Sequence, residues 1–144
     1  KKIIDKYTTS AICLFKIVNL PEINTQISRK TGDKTITEVA NFVRKNLAQE
    51  YVFVRYMGPK FAIVFSGVDK GGVYNFMLEL KNKMEALDIL AAADYVHSDD
   101  EDVIVSPKIR VAISTYYKGT ALDGAFKKLE EYIDLSNENT IKEI

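Results

Sequence analysis

Apolar residues crowd the segment from about Ser10 to Asn19, where Ala11, Ile12, Cys13, Leu14, Phe15, Ile17 and Val18 leave almost no polar face. A strand that is hydrophobic on both sides belongs in the middle of a covered sheet, so this segment predicts a central strand. Pro21 then opens a polar stretch in which Ile23 and Ile27 stand four apart, the pattern of a brief helix ending near Ser28. From Asp33 to Gln49 the residues Ile36, Val39, Ala40, Val43 and Leu47 recur at spacings of three and four, the stripe of an amphipathic helix packed on a core. Two runs rich in β-branched and aromatic residues follow, about Tyr51 to Met57 and Lys60 to Ser66, and the Gly58-Pro59 break between them predicts an antiparallel hairpin. A second helical stripe comes after Gly71-Gly72, with Val73, Phe76, Met77, Leu80, Met84 and Leu87 on one face. Ile109 to Tyr117 alternates as a strand does, with Val111, Ile113 and Thr115 on one side. Leu122, Ala125, Phe126, Leu129 and Ile133 mark a final helix.

The predicted order is strand, helix, helix, strand, strand, helix, strand, helix, with a minor strand at about Val103 to Val105. It implies an α+β fold of the split βαβ, ferredoxin-like kind, a mainly antiparallel central sheet flanked by helices. The hairpin in its middle excludes a doubly wound parallel sheet.

A chain of 144 residues is one domain's worth. Its twenty Lys and Arg balance twenty Asp and Glu, so no global field draws it to nucleic acid or an anionic membrane, and nucleic acid is not expected as a partner. Cys13 is the one cysteine and His97 the one histidine, which excludes an intrachain disulfide and leaves no ligand set for zinc. The missing disulfide fits a reducing cytosol. No run reaches the length of a membrane span and no signal pattern opens the chain. The first residue is Lys1, which reads as a piece excised from something longer. Asp99, Asp100, Glu101 and Asp102 stand in a row, a solvated loop tip by like-charge repulsion, and their spacing lacks the alternating ligands and central glycine of a calcium loop.

The stretch Arg55-Tyr56-Met57-Gly58-Pro59-Lys60-Phe61, set in this order of elements, resembles the GGDEF domain of diguanylate cyclases, whose fold is related to the palm of nucleotidyl cyclases. Arg55, Tyr56, Gly58 and Phe61 match that family's hairpin motif, and Met57, Pro59 and Lys60 depart from it. Asn24, followed at the family's separation by Gly32-Asp33, resembles the Asn and Gly-Asp pair that flank a short helix and loop. Val111 to Ser114 sits where the family has a Ser-Ile-Gly strand, and Asn139 where a closing Gly-Arg-Asn would put its Asn. The resemblance runs from Thr9 onward and rests on collinearity.

What the resemblance implies is a site that has lost its chemistry. Active members join two GTP molecules with carboxylates on the first strand and the hairpin, which hold divalent magnesium through hard oxygen donors. Here those positions carry Lys16, Val18, Pro59 and Lys60, none of which supplies a carboxylate oxygen, so the magnesium site is expected to be lost and no catalytic residue is assigned. The family's phosphate-contacting Lys and Arg fall on Asp134 and Glu138, both reversals of charge. Its inhibitory Arg-x-x-Asp, which takes cyclic di-GMP, is replaced by Ala48-Gln49-Glu50-Tyr51. Asn24 and Asp33 keep the types that read a guanine edge, with Lys16, Lys60 and Gly58 beside the phosphates. Equally, Asn24 can end a short helix and Gly32-Asp33 can be a turn and helix cap.

Three functions follow in order of expectation. The first is a catalytically inactive signalling module that contacts a neighbouring sensor or output domain or a second copy of itself. The second is a sensor binding GTP or ATP at the vestigial site, and the third an active diguanylate cyclase. A bacterial, cytosolic setting is expected for each, free or as the cytosolic portion of a membrane-anchored protein. The insertion from about Ala91 to Lys108, with its acidic tip, offers a surface for a basic partner.

Overall fold

A computed structural model of the chain describes residues 9–93 and 102–144. The elements run β1 (Thr9–Ile17), α1 (Leu20–Gln26), α2 (Arg29–Asn46), β2 (Val52–Met57), β3 (Lys60–Ser66), α3 (Lys70–Glu85), β4 (Ile89–Leu90), β5 (Ile104–Val105), β6 (Ile109–Tyr117), α4 (Leu122–Leu135) and β7 (Ile141–Glu143). Five strands form one sheet in the order β2-β3-β1-β6-β7. The central strand β1 lies antiparallel to both β3 and β6, while β7 joins the far edge parallel to β6. The fold is thus α+β and mainly antiparallel, as the periodicity implies.

The two-sided apolar run of β1 has two partners. Ala11, Cys13, Phe15 and Ile17 pack with Val39 and Val43 of α2 and Val73, Met77 and Met84 of α3. Ile12 and Leu14 face the other way, toward Leu129 and Ile133 of α4. The expected one-sidedness of β6 does not hold, because α4 covers the face opposite Val111 and Ile113 and buries Arg110, Ala112 and Tyr116.

Helix boundaries also differ from the stripes. α2 begins at Arg29, because the Ser28 hydroxyl accepts from the Thr31 amide at 3.1 Å and caps an otherwise polar first turn. Asp69 does the same for α3 at the Gly72 amide, 3.0 Å, so Gly71 and Gly72 lie inside the first turn rather than before it. Phe76, placed on the core stripe of α3, remains 39% exposed at its edge. The minor strand at Val103 to Val105 is β5, and it pairs with β4, which carries no signal in the sequence. β7 is likewise absent from the sequence reading. His97 and the acidic run from Asp99 to Glu101 lie outside the described residues. Among the described residues no helix is long and apolar enough to cross a membrane.

Cys13 sits at the centre of the sheet with no exposed surface, and burial pushes its thiol far above the usual range. The folded protein keeps that proton while the unfolded chain loses it above a pH of about 8.5. Stability therefore falls as pH rises past that point, with a limiting slope of about 1.4 kcal/mol per unit. A thiol reagent should react with native protein only as fast as it unfolds, and Cys13→Ala should flatten the alkaline arm of the stability curve.

Candidate functional site

The hairpin turn is built by its glycine. Gly58 has φ +53°, a left-handed conformation that costs glycine nothing, and the Arg55 Nε donates to its carbonyl at 2.6 Å. The register slips by one residue between Arg55 and Met57, a bulge that leaves Tyr56 over for packing against Phe126 of α4, ring centroids 5.3 Å apart. The Pro59 carbonyl accepts from the Ile17 amide at 3.0 Å and ties the turn to the end of β1. Phe61 stacks on Phe15 at 4.9 Å, so this matched position serves the core. Met57 projects outward, and Val18 is buried.

This register aligns three cations across adjacent strands. Lys16 of β1 pairs with Lys60 of β3 on one side and Arg110 of β6 on the other. Their neighbours two residues along, Leu14, Ala62 and Ala112, all pack in the cluster under α4, so the three side chains rise on the α4 face. The C-terminal end of α4 answers two of them. Asp134 meets the Lys60 ammonium at 2.7 Å, with side-chain exposures of 50% and 15% respectively. Arg110, 3% exposed, donates to the carbonyls of Tyr132 at 2.8 Å and Glu138 at 3.1 Å and to the Thr140 hydroxyl at 2.9 Å. Its guanidinium also lies 3.8 Å from the Tyr132 ring centroid. Lys16 has no hydrogen bond or ion pair among the described residues. Burial, then the Glu130 and Asp134 carboxylates, push the Tyr56 phenol well above its ordinary range.

Asn24 and Gly32 form a second group. A Cβ at Gly32 would overlap the Asn24 side-chain amide, so the glycine is what lets α1 and α2 approach there. Asn24 lies within α1 and Gly32-Asp33 within α2. That corrects the reading of Asn24 as a helix end and of Gly32-Asp33 as a turn and cap, because Ser28 supplies the cap. The Asn24 Oδ1 is buried without a hydrogen-bond partner, and Asp33 is exposed. One residue on, Lys34 Nζ donates to the Leu90 carbonyl at 2.8 Å, while Thr31 Oγ1 accepts from the Ala92 amide at 2.9 Å, so the β4 arm is pinned beside Asp33. Among the described residues no hydrogen bond or ion pair joins this group to Lys16 and Lys60.

The residues present do not fit a divalent cation. Lys16, Val18, Pro59 and Lys60 offer no carboxylate, and Asp134, which reaches Lys60, is engaged by its ammonium. No three His, Cys, Asp or Glu side chains cluster as ligands among the described residues. Where the family's inhibitory pair would stand, Ala48 and Tyr51 instead line a hollow of about 430 Å3 walled by Leu47, Phe65, Val68 and Phe76. Sequence reasoning placed Asp134 as a reversed charge but missed its pairing with Lys60, and it missed Arg110. A signal existed: an aspartate in the last turn of a helix opposes the helix dipole and calls for a cation from elsewhere.

The family model for the diguanylate cyclase GGDEF domain matches residues 2–133. No curated protein matches the chain. Among solved structures, the GGDEF domain of DgcB from Caulobacter crescentus, in complex with c-di-GMP, superposes with a TM-score of 0.80 at 17% identity, over 94% of this chain and 76% of that one. The FimX GGDEF domain from Pseudomonas aeruginosa gives 0.80 at 12% identity, over 99% and 83%. Diguanylate cyclase SiaD of Pseudomonas aeruginosa, solved with its activator SiaC, gives 0.75 at 11% identity, over 95% of this chain and 50% of that one. At these identities the structures speak for the fold, and the match along residues 2–133 speaks for descent: the chain belongs to the GGDEF domain family of diguanylate cyclases.

Proposed function

We propose that this domain is a catalytically inactive GGDEF module of cyclic di-GMP signalling, acting through contact with a neighbouring sensor or output domain or with a second copy. The Lys60–Asp134 pair carries the reading. A hairpin position that the family fills with a carboxylate holds an ammonium here, and the facing helix supplies the matching carboxylate at 2.7 Å. A magnesium ion brought to this place would meet the Lys16 ammonium, which has no counter-ion among the described residues, and at an effective dielectric of about 20 a unit charge at 4 Å repels by about 4 kcal/mol before the ion's double charge is counted. Incubated with GTP and magnesium, the protein is expected to yield no cyclic di-GMP by mass spectrometry. Product above the protein-free control, lost when the protein is denatured, would overturn the reading.

A second reading is a GTP or ATP sensor at Asn24 and Asp33. It draws support from the buried, unpartnered Asn24 oxygen and the exposed Asp33 beside it. Titration calorimetry with GTP, ATP and cyclic di-GMP, each with and without magnesium, decides between the two. Saturable heat abolished by Asp33→Ala supports the sensor, and no heat at millimolar ligand leaves the contact role.

A further inference from the structure

We infer that the outer edge of β2 docks an extended, acidic segment of a partner protein, which adds to the sheet as a strand, sets an apolar side chain in the hollow beside Phe53 and offers a carboxylate to Arg55. The free main-chain groups can be counted outward from β1. The Gly67 amide donates to the Thr9 carbonyl and the Ile17 amide to the Pro59 carbonyl, both at 3.0 Å, so the hydrogen-bonded pairs of β1 and β3 are those of the odd-numbered residues. Phe61, Ile63 and Phe65 therefore turn their main-chain groups to β1, and Lys60, Ala62 and Val64 turn theirs to β2. Val52 and Val54 stand opposite Val64 and Ala62 and take up those bonds, which leaves the N–H and C=O groups of Phe53 and Arg55 pointing away from the sheet. β2 ends the strand order, and among the described residues no hydrogen bond reaches the main chain of Phe53 or Arg55. Open edges are ordinarily blunted by Pro, Lys or a covering element; Val52–Met57 contains neither residue, and its bulge falls at Tyr56, past the free groups.

The side chains beside that edge say what the added strand must carry. Phe53, Tyr51, Leu47 and Ala48 wall a hollow of about 320 Å3 between the end of α2 and β2, and it runs on through Leu47, Ala48 and Tyr51 into the larger one described above. A strand added about 4.8 Å outside β2 places the side chain opposite Phe53 on the hollow's face of the sheet. Two cations stand there without a carboxylate among the described residues: Arg44 lies 5.5 Å from the Phe53 ring centroid and reaches only Asn41, and Arg55 reaches only the Gly58 carbonyl. On the other face Val54 is 46% exposed and lacks an apolar neighbour across the edge. Read antiparallel to β2, the docked segment is thus acidic opposite Arg55, β-branched opposite Val54 and apolar opposite Phe53, with main-chain bonds giving affinity and the hollow giving selectivity. The inference rests on the contact role proposed above and names its surface. Cyclic di-GMP production would overturn inactivity without touching a peptide titration, and a failed titration would leave the domain inactive with its contact elsewhere.

The test is amide NMR and hydrogen exchange on the whole domain, titrated with a short synthetic peptide centred on Glu-Val-Phe. Its controls are the scrambled sequence, a copy N-methylated at the Phe and a copy with Lys in place of the Glu. Expected are saturable shifts from Leu47 to Arg55 and slower exchange at the Phe53 and Arg55 amides, while Val52 and Val54, already bonded to β3, change little. N-methylation, which removes one main-chain donor and leaves the protein untouched, should weaken binding about tenfold. The Lys peptide should bind about tenfold more weakly as well, and Arg55→Glu in the protein should recover part of that loss. No saturation up to about 1 mM peptide, equal affinity for the scrambled or N-methylated copies, or binding without protection of Phe53 and Arg55 would each overturn the inference. Protection of those two amides that rises with protein concentration alone would overturn it too, by giving the edge to a second copy of this chain.

Discussion

Arg110→Met is expected to lower stability by about 3 kcal/mol, the cost of stranding carbonyls that a buried guanidinium now serves. The methionine fills the same stem but donates nothing to Tyr132, Glu138 or Thr140, which Arg110 reaches at 2.8, 3.1 and 2.9 Å. These three bonds fix the chain between α4 and β7, because Thr140 also accepts or donates at the Tyr132 hydroxyl, 2.6 Å away, and its carbonyl takes the Val111 amide at 2.8 Å. A midpoint shift in urea should therefore come with faster hydrogen exchange in Ile141 to Glu143. Arg110→Lys should recover only part of the loss, since one ammonium cannot serve three oxygens held in a planar fork and also stack on Tyr132. An unchanged midpoint in Arg110→Met would show that water replaces the guanidinium without penalty.

Glu85→Ala should cost a similar amount, about 3 kcal/mol, for a different reason. The Glu85 carboxylate takes the Lys81 ammonium at 3.0 Å, the Ile109 amide at 2.8 Å and the Asn139 side chain at 2.9 Å. Lys81 is nearly buried, so removing its counter-ion leaves a charge with no acceptor in a dry place. Pairing Glu85→Ala with Lys81→Met should restore much of the stability in a double-mutant cycle, because the stranded charge is gone. If the double variant is no better than Glu85→Ala alone, the loss resides in the Ile109 and Asn139 contacts instead.

The large elements were legible because their periodicity is set by burial. β1 is apolar on both faces since α2, α3 and α4 cover both, and the stripes of α2 and α4 are the residues that do the covering. β7 was not legible: three residues, Ile141, Lys142 and Glu143, cannot show an alternation, and what holds them is Arg110 and Thr140, a contact between distant positions. The first turn of α2 was hidden by its polarity, with Gly32 reading as a break until Asn24 was seen packed against it. In the candidate site, sequence identified Lys16, Lys60 and Asp134 one at a time as departures from a pattern. That two of them form a single ion pair depends on how β3 and α4 are brought together in space, which no spacing along the chain encodes.

The central position of β1 also dictates when the molecule can be finished. Its ladder partners are Lys60 to Ser66 on one edge and Ile109 to Tyr117 on the other, so Thr9 waits for Tyr117. As the chain leaves the ribosome, the β2–β3 hairpin can close early, yet β1 must spend most of that time with one edge open and the Ala11 to Phe15 run uncovered. Such distant pairing slows the search for the native state, and it makes the newly made chain most vulnerable to sticking to its own kind just before its last third emerges.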